Sequence, residues 1–171
     1  MRRQTTVTFR NVPFIRGRAV MVIGMGLIYG STFWQLEPTN VQNMIGILFQ
    51  VIMFLGLGQV SQIPTFMEAR DIFYKQRGAG FFPTSAYVVA CSVAQIPLAL
   101  AESLIFGSMV YWMCGFVANA GAYFCYLICL ILTNLVFASW FFLLTAASPD
   151  FHFAKPFSTF TIVFFVLFAG F

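Results

Sequence analysis

Five stretches of this chain carry no Asp, Glu, Lys or Arg: Ala19 to Leu36, Pro38 to Met67, Gly78 to Ala101, Ser103 to Pro149 and Pro156 to Phe171. Apolar runs of about 17 to 25 residues are the length at which an α-helix crosses the hydrocarbon of a bilayer. Lipid offers the backbone no hydrogen-bond partner, so only helices and closed barrels can span it. A barrel would alternate apolar and polar positions in segments of about ten residues, which these long runs do not do. The composition points the same way: 8% of the 171 residues are charged, against roughly 25% in a soluble domain. The expected fold is therefore all-α, a polytopic helical membrane protein, with no nucleic-acid partner.

Met1-Arg2-Arg3 before an apolar stretch could be a secretory signal. The basic leader continues to Arg18, however, and no small-x-small cleavage site follows it, so a retained first span is expected. The charge-free runs and their Pro, Gly and Asn breaks place five spans at 19–36, 44–63, 88–113, 122–144 and 157–171, the last cut off by the end of the chain. Residues 1–18 form a connecting segment before them, and 64–87 a loop between the second and third. The leader, the 64–87 loop and the turn holding Lys155 carry all nine Lys and Arg residues. Basic residues near span ends stay on the cytoplasmic side, so these segments are expected inside and 37–43 and 115–121 outside. None of Asn11, Asn40, Asn43, Asn119 and Asn134 has Ser or Thr two positions on, so no glycosylation site marks the outside. Cys91, Cys114, Cys125 and Cys129 lie in or beside spans and read as small packing residues, with a Cys114 to Cys125 disulfide as the alternative. Asp150 and His152 are two ligand types where a metal needs three or four, so no metal site is expected and they read as part of a wet turn beside Lys155.

Glu68 to Arg77 gathers five of the fourteen charged residues between two apolar spans. Phe66, Ile72, Phe73, Tyr74, Phe81 and Phe82 are interleaved with those charges, as in a short interfacial helix that buries one face. Positive-inside charge alone would account for Arg70, Lys75 and Arg77 but not for so many aromatics beside them. A cytoplasmic partner that grips this loop is expected.

The same stretch carries a family resemblance. Ile72-Phe73-Tyr74-Lys75-Gln76-Arg77-Gly78-Ala79-Gly80, then Ser85-Ala86-Tyr87 and Gln95-Ile96-Pro97, resembles ABC transporters of the G subfamily, the pleiotropic drug resistance type most closely. Phe9-Arg10-Asn11, Arg18, Gly30-Ser31-Thr32-Phe33, Val110 to Phe116 and Phe168-Ala169-Gly170-Phe171 follow in the family's order. The resemblance implies the membrane half of an exporter of lipophilic or drug-like compounds, with six helices per half, an interfacial connecting helix and a cytoplasmic coupling helix against an ATPase domain. It implies that Glu68, Arg70, Asp71, Phe73, Lys75, Gln76 and Arg77 meet that domain, which would hold the ATP and Mg. Relatives often carry Arg-Glu where this chain has Lys75-Gln76, so an acidic contact at that step is not implied here. It further implies a drug cavity between the second and fifth helices of paired halves, approached by Phe54, Leu57, Val60, Phe164 and Phe165. Implied partners are a nucleotide-binding domain in the same polypeptide or complex, a second membrane half, lipid and a lipophilic substrate. The plasma membrane is the expected location.

A phosphate-binding loop needs Gly before its Lys, and here Tyr74 precedes Lys75 and Ala154 precedes Lys155. No catalytic residue and no cofactor are therefore assigned to this chain, which reads as a fragment or truncated product of a larger transporter. The alternatives are an ATPase-independent secondary carrier or channel, and a truncated partner that does not transport. Glu102 is the one ionisable side chain inside a span. An acid at mid-helix costs about 2.5 to 3.5 kcal/mol on insertion, so the third span needs neighbours. Gln95, seven residues earlier on the same face, suggests a polar stripe turned toward protein. A structural and a functional acid both fit, and Glu102→Gln is expected to leave folding intact. Gly26 and Gly30 form a G-x-x-x-G pair suited to close helix packing, and Gly56 and Gly58 thin the second span likewise.

Overall fold

The computed structural model describes residues 12–35, 41–78 and 84–168. Helices occupy most of these residues, and none forms a strand. In chain order they are α1 (Val12–Thr32), α2 (Val41–Gly58), a 3₁₀ turn (Gln59–Gln62), α3 (Ile63–Gly78), α4 (Thr84–Met113), α5 (Ala120–Ala147) and α6 (Phe151–Phe168). Five helical runs are long and apolar enough to cross a membrane by length and composition, counting α2 through α3 as one run of 38 residues. At 1.5 Å per residue α4 is about 45 Å long, more than the roughly 30 Å of a hydrocarbon core.

The helices overrun the spans read from sequence, and the reasons are local. α1 is already helical at Val12, the first residue described ahead of the expected start at 19, and it carries Arg16 and Arg18, with Arg18 turned inward. α2 does not stop at Pro64. Its chain continues helically through the 3₁₀ turn, and Pro64 falls in the first turn of α3, where a backbone N–H has no helical acceptor to lose. The 64–87 loop is thus largely helix, although 79–83 lie outside the described residues, as do 1–11 of the connecting segment and 169–171 of the last span. α6 starts at Phe151, ahead of 157, since the Asp150 carbonyl accepts from the amides of Phe153 (3.1 Å) and Ala154 (3.0 Å). At the start of α5 the Asn119 side chain accepts from the Gly121 amide at 3.0 Å, the usual use of Asn at a helix N-terminus.

α4 is the hub: α1 lies on one side of it and α5 on another, with α2 against α5. Glycine sets how close these helices come. A Cβ on Gly30 would stand 2.4 Å from Met113 Sδ and 2.9 Å from Met113 Cβ, whereas on Gly26 it would meet Met109 at 3.3 Å. Both glycines are buried, and α1 rests on α4 through them. On the far side of α4, a Cβ at Gly107 would meet Leu130 of α5 at 2.9 Å. Gly56 performs the same task for α2 against Phe137 of α5, where a Cβ would come within 2.7 Å of the ring. Between the helices, Val22, Val51, Leu55, Phe106, Val110 and Leu130 belong to one buried cluster. A second, smaller cluster of Ile63, Met67, Phe141, Leu144 and Ala154 joins α3, α5 and α6.

The two ends of the bundle differ. Where α4 ends and α5 begins, Tyr111 is ringed by Trp112, Phe116, Tyr123 and Tyr126 and donates its hydroxyl to the Val117 carbonyl at 2.5 Å. Aromatics with polar tips collect at membrane–water boundaries. The Cys114 to Cys125 disulfide does not form. Both thiols are free, Cys114 buried in the core and Cys125 exposed on α5. The opposite end holds α3, the start of α4 and the α5–α6 turn.

Candidate functional site

Glu102 faces the interior of the bundle at 5% exposure, and the residue it meets is Arg18. Arg18 Nε and Nη2 donate to the two carboxylate oxygens at 2.5 and 2.8 Å, the paired fork that makes Arg the preferred carboxylate partner. Gln59 Nε2 and Asn134 Nδ2 each lie 3.4 Å from Glu102 Oε2, and Asn134 Nδ2 is also 3.4 Å from Ser103 Oγ. Gln59 donates as well to Asn134 Oδ1, and Gln62 to Gln59 Oε1. Arg18 Nη1 reaches Ser61 Oγ at 3.3 Å. Side chains from α1, the 3₁₀ turn, α4 and α5 therefore meet in one polar centre. Buried polar groups are costly unless paired, and here each carboxylate oxygen of Glu102 has at least one donor.

Only Glu102 of this centre was singled out from the sequence. Gln59, Gln62 and Asn134 are nonetheless lone polar side chains in apolar runs, the type that turns toward protein inside a membrane, and that signal finds them. Arg18 gave no such signal, since a cation at a span end reads as a flank. Gln95 does not join Glu102. It is half-buried beside Cys91, Ser92, Leu135 and Ser139, in a separate small cavity.

The charged helix α3 has two faces. Phe66, Arg70, Phe73 and Arg77 recur at three- and four-residue steps along one side, and Glu68, Asp71 and Lys75 along the other. Phe66 and Phe73 are buried: Phe66 stands edge-on to Phe142 (5.3 Å) and Phe73 stacks on Tyr87 (4.2 Å). Arg70 reaches past them to the end of α5. It donates to the carbonyls of Thr145 (3.1 Å), Pro149 (2.8 Å) and Ser148, where a helix leaves acceptors unpaired and favours positive charge. Of the seven residues expected to meet a partner domain, Glu68, Asp71, Lys75 and Arg77 are exposed and Gln76 is half-buried, while Arg70 and Phe73 are turned into the bundle.

The five expected cavity residues do not share one site. Phe54 and Leu57 line a cleft of about 470 Å³ between α1, α2 and α4, together with Phe14, Met21 and the Arg18–Glu102 pair. Val60 packs on the smaller buried cluster. Phe165 lies edge-on to Phe137 (5.5 Å) and Trp140 (5.7 Å), and Phe164 is exposed beside Phe168. Asp150 and His152 are exposed, and no group of three or more metal-ligating side chains occurs among the described residues.

The family model described as ABC-2 type transporter matches residues 1–171. ABC transporter G family member 2 of Dictyostelium discoideum is 33% identical over 92% of this chain, which covers 12% of that protein. ABC multidrug transporter I of Aspergillus fumigatus is 32% identical over 86% of the chain and 10% of the relative. Pleiotropic drug resistance protein 1 of Nicotiana tabacum is 28% identical over 95% of the chain and 12% of the relative. The chain thus spans about an eighth of the length of the curated relatives it matches.

Proposed function

Because this chain belongs to the ABC-2 type transporter family, we propose that it is the membrane-spanning part of an ATP-driven exporter of lipophilic or drug-like compounds. It would work with a nucleotide-binding domain that holds ATP and Mg and with a second membrane half, in the plasma membrane. Relatives named for multidrug transport and pleiotropic drug resistance support the cargo class. The single observation that carries the coupling is the two-faced α3. Its inner face is bound into the bundle, and its outer face offers Glu68, Asp71 and Lys75 to a partner.

The mechanism follows from continuity. α3 runs into the 3₁₀ turn and α2 with no intervening loop, so a push on its outer face shifts Gln59 and Gln62. Gln62 donates to Gln59, Gln59 donates to Asn134 of α5 and Glu102 of α4, and Arg18 joins α1 to the same centre. Motion at α3 would thereby reach the helices lining the cleft of Phe54 and Leu57. The cleft is apolar apart from Arg18, Ser61 and Glu102, which suits flat, greasy cargo with a hydrogen-bonding edge.

Efflux of a lipophilic dye from cells expressing the whole protein tests this reading. It should stop when the phosphate-binding Lys of the partner ATPase domain is replaced, since that side chain reaches the nucleotide phosphates. Efflux that continues undiminished would overturn the reading in favour of an ATP-independent carrier.

A further inference from the structure

A guanidinium has five N–H donors, and three of those on Arg18 are engaged, Nε and Nη2 with Glu102 and Nη1 with Ser61. One N–H on Nη1 and one on Nη2 have no acceptor among the described residues. They belong to a side chain that lines the cleft of about 470 Å³ between α1, α2 and α4. Phe14 covers one face of the guanidinium at 5.7 Å. Gly58 leaves the wall beside it bare, since a Cβ there would meet nothing nearer than Arg18 Nη2, at 3.9 Å. The other polar groups of the cleft are engaged. The Glu102 carboxylate already meets four donors, matching its roughly four lone pairs, and Ser61 donates its hydroxyl proton to the Gly58 carbonyl at 2.7 Å. Spare hydrogen-bonding capacity on this wall is therefore mainly in donors. Arg18 and Glu102 are the only charged side chains among the described residues that line the cleft, and they cancel.

We propose that the cleft selects uncharged lipophiles that carry a carbonyl oxygen, which accepts from the unengaged N–H groups of Arg18. The apolar body of such a molecule lies against Phe14, Met21 and Phe54, and the low dielectric of the site strengthens the hydrogen bond. Charged molecules of the same shape are refused. An anion meets a guanidinium that Glu102 has already neutralised, so its own charge is buried without a counter-ion, and a cation meets Arg18; either burial is costly. The selectivity deepens the export reading and rests on it for naming the occupant as cargo. Binding is read without ATP, so loss of this selectivity and persistence of dye efflux without the ATPase lysine are separate results.

The test uses the whole transporter in lipid nanodiscs, photolabelled with benzophenone, a ketone that inserts into nearby C–H bonds on illumination. Adducts mapped by peptide mass spectrometry should fall on α1 and α2 residues of the cleft such as Met21 and Leu57. Competition by four rigid molecules of one skeleton then reads the chemistry, each counted by its concentration in the membrane: 9-fluorenone, fluorene, 9-fluorenecarboxylate and 9-aminofluorene as its ammonium ion. Fluorenone should compete about tenfold better than fluorene, as one hydrogen bond from a charged donor provides, and neither ion should match it. Gly17→Leu should abolish labelling. A Cβ on Gly17 meets nothing within 4 Å, so the added side chain enters the cleft and not the packed bundle. Gly24→Leu, equally unobstructed on α1 but outside the cleft, should keep it. Equal competition by fluorenone and fluorene would overturn the proposal, since the cleft would then read shape alone. Stronger competition by the carboxylate, adducts outside the cleft, labelling that survives Gly17→Leu, or an equal loss in both variants would overturn it as well.

Discussion

The Arg18–Glu102 pair changes what a substitution at position 102 does. Read alone, the acid is a marginal load on one helix, and the isosteric Gln looks harmless. Paired, the acid is the counter-charge of a guanidinium whose side chain is 10% exposed, and Glu102→Gln leaves that charge uncompensated. Breaking one partner of a buried pair costs on the order of 3 to 5 kcal/mol, so Glu102→Gln and Arg18→Gln should each lower the unfolding temperature of the purified protein. The double variant should be less destabilised than the sum of the two. Strict additivity would mean that the side chains do not interact. The sequence held part of this site. Glu102, Gln59 and Asn134 are visible because each interrupts an apolar run, but a partner 84 residues away lies beyond any local window. Arg18 could be recognised as buried only once α1 was seen against α4.

Among the helices, the charge-free runs alone indicate that the apolar spans are helical, because lipid leaves so few alternatives. Their ends are less legible. A window that stops at a charge or a Pro cannot know that Arg18 has a partner or that Pro64 falls in a tolerated first turn. The contact of α1 with α4 grades two glycines that look equivalent in sequence. Gly30→Ala drives a Cβ against the stem of Met113 and should cost about 1 to 3 kcal/mol, while Gly26→Ala meets only the mobile end of Met109 and should cost less. Thermal unfolding in detergent ranks the two, and the reverse order would contradict the close approach at Gly30. Arg70 makes an equally local prediction. Arg70→Ala strips the donor from three carbonyls at the end of α5, at about 1.5 to 3 kcal/mol for bonds to a charged group. Limited proteolysis should then cut faster at the α5–α6 turn, with Arg70→Lys intermediate. Unchanged cleavage would mean that the clamp holds nothing.

For the whole molecule, the polar centre and the clamp tie α3 to the helices packed around it. Gln62 and Gln59 link its entry to α4 and α5, Arg70 links its middle to the α5–α6 turn, and Phe73 stacks on Tyr87 at the start of α4. A helix so anchored on its inner side and charged on its outer side suits the proposed role of a coupling helix. The measurement that tests this most directly is crosslinking from Asp71→Cys, on the exposed face of α3, in the whole transporter held with and without ATP. The account predicts a crosslink to the nucleotide-binding domain whose yield changes when ATP binds, with no labelling of that cysteine by an impermeant reagent outside the cell. Labelling from outside, or no contact with that domain in a transporter that still exports, would contradict it.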